Sequence, residues 1–204
     1  MRVRSHWFKA GTPKSPAQNA GAMAFIVWRL ARQLLTHMRG ARFDIDVGMP
    51  YFDFLREVLV FLVQVADRMA WERMDGAARA EFTTALALRV AAHLDENQTD
   101  LLGPPPDGQP SHRDRFIDLV NELSAHYAEF GTEPGAAVFA PDFGFVRYFA
   151  SRVAAVLPEK DRLWVTDQLM AAEVPEAVGM LRGAFDDLLS TEARPARRSA
   201  LTGD

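Results

Sequence analysis

Between residues 50 and 73 the chain is patterned for a helix that is apolar on nearly every side. Phe54, Val58, Phe61, Val65 and Met69 recur at helical spacing, and Val58 to Val63 is an unbroken apolar run. A helix of that kind must be covered from several directions at once. The run is far shorter than the twenty or so residues of a membrane span, and Gln64, Asp67 and Arg68 interrupt it. The segment therefore predicts a central core helix, and the rest of the chain has to supply its cover.

That cover reads as further helices. Ser15, Pro16 and Gln18 combine an N-cap, a first-turn proline and a capping box. Met23, Val27, Leu30, Leu34 and Met38 then follow at helical spacing up to Gly40, which predicts a first helix over 16–39. Residues 41–49 alternate Phe43, Ile45 and Val47 with Asp44 and Asp46, but no neighbouring segment offers a strand partner. They read as an extended connector into the 50–73 helix. Asp75-Gly76 marks a turn before a third helix over 77–101, with Phe82, Leu86, Val90 and His93 on one stripe. The stretch 103–110 holds four prolines and two glycines, and no helix crosses it. Four more helices follow, over 112–130, 142–157, 158–172 and 175–190. Ser111 with Asp114 caps the first of these, while Pro158 and Pro175 open the last two.

The expected fold class is all-α, a six- to seven-helix bundle built as one body or as two packed helical lobes, 15–102 and 111–190. The apolar helix at 50–73 favours a core common to both stretches, because two flanking helices would leave it uncovered. A basic N-terminal arm, 1–14, precedes the bundle. A tail, 191–204, follows it and is expected to be disordered.

Several chemistries are excluded or unsupported. There is no cysteine, so no disulfide, thiol nucleophile, iron–sulfur cluster or zinc ribbon can form. The chain has no glycine-rich phosphate loop, no dinucleotide fingerprint and no Gly-x-Ser-x-Gly. Asp142-Phe143-Gly144 matches a kinase triplet in letters only, since no other kinase element accompanies it. A carboxylate-bridged di-iron bundle requires Glu-x-x-His, which is missing. No catalytic residue, metal ligand or cofactor is assigned, and the reading leans away from an enzyme.

Charge is distributed unevenly. The first 43 residues carry eight Lys/Arg and no Asp/Glu, whereas all 27 carboxylates lie beyond them. This basic stretch has the composition of an organelle transit peptide. The prolines at 13 and 16 and the strong helical pattern behind them favour a mature element instead, and a cytoplasmic protein without membrane association is expected. Arg2, Arg4, Trp7, Phe8, Arg29 and Arg32 are the candidate interaction residues, with an acidic protein surface as their partner, within the chain or on a second copy. An acidic body would oppose approach to a nucleic acid, and no helix-turn-helix is legible.

The polar interruptions of the apolar helix supply a second candidate site. Gln64, Asp67 and Arg68 fall within about one turn, and with His93 and His126 they would line a ligand pocket between the second, third and fourth helices. Glu122 and His126 also lie one turn apart. Asp53 and Glu57, near a helix start, fit the helix dipole, as does His37 near a helix end. Three functions are consistent with this pattern. The first is a non-enzymatic protein-interaction or scaffold protein that self-associates. The alternative is a helical bundle binding a small ligand or cofactor. The third is a regulator contacting nucleic acid through the basic segment.

Overall fold

The structure, a computed structural model, describes residues 14–190. Of the basic arm only Lys14 is among them; Arg2, Arg4, Trp7, Phe8 and the 191–204 tail lie outside the described residues. The fold is all-α: helix accounts for 78% of the described residues, which contain no strand and a single isolated bridge between Thr132 and Pro141. The helices are α1 (Pro16–Gly40), α2 (Met49–Arg73), α3 (Gly76–Leu102), α4 (His112–Tyr127), α5 (Phe143–Val156), α6 (Glu159–Gln168) and α7 (Val174–Leu189). A π-helical turn, Leu169–Glu173, joins α6 to α7 without a break, so the bundle counts six or seven helices.

Local chemistry explains the helix starts. Ser15 Oγ accepts from Gln18 N at 3.2 Å and Gln18 Oε1 accepts from Ser15 N at 3.0 Å, a reciprocal capping box. Asp75, Ser111 and Asp142 accept the corresponding N–H at the starts of α3, α4 and α5. Asp142, the first letter of the kinase-like triplet, is thus a helix cap. Gly48 precedes α2 at φ +116°, a conformation open only to glycine, and lets the connector turn into the helix.

Two boundaries differ from the sequence expectation. Helix α4 ends at Tyr127 rather than near 130, because the Arg68 guanidinium reaches the carbonyls of Tyr127 (3.1 Å) and Phe130 (3.4 Å) and satisfies the helix end. At Pro175 the expected break between helices is absent. Proline lacks an N–H and its ring crowds the carbonyl four residues back. The backbone answers with the widened π turn, in which Val174 N–H donates to Leu169 O, and the helix continues.

The core is organised around α2. Sixteen of its 25 residues are buried, and it packs against α1, α3, α4, α5 and α7. Around it, α4, α3, α1 and α7 are neighbours in turn, while α5 connects through α6 and the π turn back to α7. Ring contacts between Tyr127 and Phe145 and between His126 and Tyr148 link α4 to α5. The buried residues before and after the 103–110 segment form a single hydrophobic cluster. The 41–48 connector is irregular, with Phe43 and Ile45 buried. It is pinned by Arg39 donating to Ile45 O (2.9 and 2.6 Å) and by Asp161 accepting from Asp44 N (2.8 Å). No helix among the described residues is long and apolar enough to cross a membrane.

Candidate functional site

A helix enclosed on all sides can keep polar side chains only where a neighbour satisfies them. On α2, Gln64, Asp67 and Arg68 are met by residues of α3 and α4. Gln64 donates to Ser124 Oγ on α4 at 2.7 Å. The Asp67 carboxylate accepts from Arg79 (2.9 Å from Nε to Oδ1) and from Thr83 Oγ1 (2.6 Å), both on α3. Arg68 is occupied by the carbonyls at the end of α4. His93, half-buried, lies with its ring 6.4 Å from that of Trp28 on α1. His126 is exposed, and its Nδ1 lies 2.6 Å from the Tyr148 hydroxyl rather than against Glu122. Gln64, Asp67, Arg68, His93 and His126 are therefore distributed over separate pairings, and the structure does not bring them together around one cavity.

Other polar groups at the core surface have partners remote in the chain, and those pairings escape sequence inspection. Glu57, 4% exposed, receives two hydrogen bonds from Arg152 on α5 (3.0 and 2.6 Å). The Glu57 partnership holds the Arg152 guanidinium more firmly protonated than usual. Tyr127 is buried beside this pair with no hydrogen-bond partner for its hydroxyl. Burial, and then the negative charge of Glu57, push that phenol well above its ordinary pKa. Arg56 binds Asp53 (2.5 Å) and Gln98 on α3 (2.8 Å), and burial lowers its pKa against the pull of Asp53. Asp53 and Glu57 are thus both committed to arginines.

The surface is less settled. Arg29 and Arg32 on α1 are exposed, and among the described residues neither pairs with a carboxylate. Arg32 instead borders an open hollow of about 320 Å³ between α1, the start of α2 and the end of α3. Its other walls are Tyr51, Phe52, Asn97, Asp100 and Leu101. Asp100 faces solvent, and among the described residues it has no basic partner. Beside the hollow, Met49 (48% exposed), Leu101 (51%) and Leu102 (41%) present apolar side chains to water. Leu163 and Trp164 on α6 are also exposed.

A further polar cluster lies at the π turn. His37 of α1 faces Glu173 and Glu176, with Nδ1 3.1 Å and 3.8 Å from a carboxylate oxygen of each. Sequence reasoning assigned His37 to the end of its helix and left both glutamates unremarked. The signal was faint: two glutamates three apart beside a proline, with the histidine 136 positions away. No protein-family model matches the chain, and neither a curated protein nor a solved structure shows significant similarity to it.

Proposed function

We propose that this chain is a non-enzymatic interaction protein that pairs with a second copy of itself through the face formed by α1, the start of α2 and the end of α3. The observation that carries this reading is the hollow bordered by Arg32. A two-fold interface joins a patch to itself, so the patch must be self-complementary. Here Arg32 and Asp100, a cation and an anion that form no ion pair among the described residues, line the same hollow as Tyr51 and Leu101. A two-fold axis through that hollow sets Arg32 of each copy against Asp100 of the other while covering Met49, Leu101 and Leu102. The pairwise satisfaction of the polar groups on α2 supports an interaction role over a small-ligand site in the core.

Light scattering on the purified chain across the micromolar range tests this. Twice the 22.7 kDa chain mass is expected. Arg32→Glu should give the single-chain mass, and adding Asp100→Arg should restore the doubled mass by exchanging the signs. A single-chain mass throughout the range, or a doubled mass indifferent to Arg32→Glu and to Leu101→Glu, overturns the proposal.

A further inference from the structure

Among the described residues, two of the three buried carboxylates are held by an arginine. Glu57 is held by Arg152 and Asp67 by Arg79. Glu173, 6% exposed, has no lysine or arginine within ion-pair reach among the described residues. Its partners are the His37 imidazole and the Gln168 amide, which donates to Glu173 Oε1 at 2.9 Å. Glu176, three residues on along the same face, repeats the arrangement: Gln33 Nε2 donates to its Oε1 at 3.1 Å, and its Oε2 lies 3.8 Å from His37 Nδ1. Each carboxylate thus has one oxygen anchored by a glutamine and the other directed at a single ring nitrogen.

We infer that His37, Glu173 and Glu176 form a binding site for a divalent transition-metal ion, zinc or manganese. One donor atom from each residue can be chosen so that all three lie within 4.8 Å of one another. A tetrahedral ion with bond lengths near 2.1 Å separates its ligand atoms by about 3.4 Å, and the separations from Nδ1 are 3.1 and 3.8 Å. Between these side chains is a hollow of about 10 Å³, walled on its other sides by apolar residues that include Leu34 and Met180. That is room for roughly one water-sized sphere.

The donor set, one nitrogen and two carboxylate oxygens, suits zinc and manganese. Gln168 and Gln33 act as the outer hydrogen-bond partners that orient metal-binding carboxylates. The His37 and Glu176 side chains are 39% and 49% exposed, so the ion has a path from solvent and a position left for water. Coordination uses the Nδ1 lone pair, which places the imidazole hydrogen on Nε2. The π turn is what makes the site: it carries Glu173 into the α1–α7 interface, one turn from Glu176.

The test is a titration of the full-length chain, stripped with chelator and exchanged into chelator-free buffer, with zinc chloride and separately with manganese chloride. Calorimetry and native mass spectrometry should show one ion per chain, and the melting temperature should rise with the metal. Glu176→Gln changes a half-exposed group and should leave the metal-free melting curve in place while weakening binding at least tenfold. Gln33→Ala, acting through Glu176, should weaken it about tenfold. His126→Gln should bind as the parent does. Absence of a stoichiometric adduct with either metal overturns the inference, as does binding unaffected by both Glu176→Gln and His37→Gln. A His37→Gln variant destabilised equally with and without metal also overturns it, by showing only a structural histidine–carboxylate pair.

Discussion

Glu57 and Arg152 meet through two parallel hydrogen bonds across the α2–α5 interface, 3.0 Å from Nε to Oε2 and 2.6 Å from Nη2 to Oε1. The carboxylate is almost fully buried and the guanidinium about one-third exposed. Arg152→Met therefore strands a buried charge. The expected loss is about 2–3 kcal/mol, below the ~3–5 kcal/mol of a wholly buried pair because water reaches the arginine side. Glu57→Gln, which keeps shape and one acceptor, should lose only ~1 kcal/mol. Urea denaturation of both variants checks the order, and equal losses would contradict it.

Tyr127 contributes a hydroxyl that is buried without a partner. Replacing it by phenylalanine removes a desolvated polar group and leaves the ring contacts to Phe145 and Tyr148 in place. Tyr127→Phe should be neutral or stabilising by ~1 kcal/mol, opposite in sign to most core substitutions.

The same phenol predicts an alkaline effect. Its folded pKa is raised, chiefly by burial. Above the unfolded value near 10 the unfolded chain therefore holds fewer protons than the folded one. Its ionisation therefore adds no penalty below about pH 10 and lowers stability increasingly as the pH climbs from there towards the folded pKa. Melting temperatures followed from neutral pH upward should fall more steeply in the parent than in Tyr127→Phe. Identical slopes would show that the hydroxyl reaches solvent.

A side chain at Gly144 forces a neighbour to shift. A Cβ built there would lie 2.9 Å from Cδ1 of Phe130 and 3.3 Å from Oδ1 of the capping Asp142. The Phe130 ring is confined by Phe145 and Tyr148, at centroid distances of 6.4 and 5.5 Å. Gly144→Ala should lose ~1–3 kcal/mol by overpacking. Combining it with Phe130→Leu should cost less than the sum of the single changes, measured as a double-mutant cycle.

Helix positions were legible because they rest on local chemistry. Ser15, Asp75 and Ser111 act within a few residues of themselves, and the apolar stripes count in turns of the same helix. The central placement of the 50–73 helix was legible from its lack of a polar face. The partnerships were not. Glu57 and Arg152 are 95 residues apart, and His37 and Glu173 are 136 apart. Nothing in one sequence marks which arginine answers which carboxylate. Asp67, read from the sequence as lining a ligand pocket, is instead answered by Arg79 on the next helix. The π turn was illegible for a different reason: a proline reads locally as a break, and only packing on both sides of it keeps the helix continuous.

The enclosure of α2 has a consequence for how the chain selects one arrangement. A helix apolar on every side gains the same from water exclusion at any rotation about its own axis, so burial alone leaves its angular setting open. Slipping by one residue turns a helix by about 100°. That would present Glu57 to a helix other than the one bearing Arg152, Asp67 away from Arg79 and Gln64 away from Ser124, all together. The few polar side chains on this helix thus work as an angular address: each is readable by one neighbour, and they agree at a single setting.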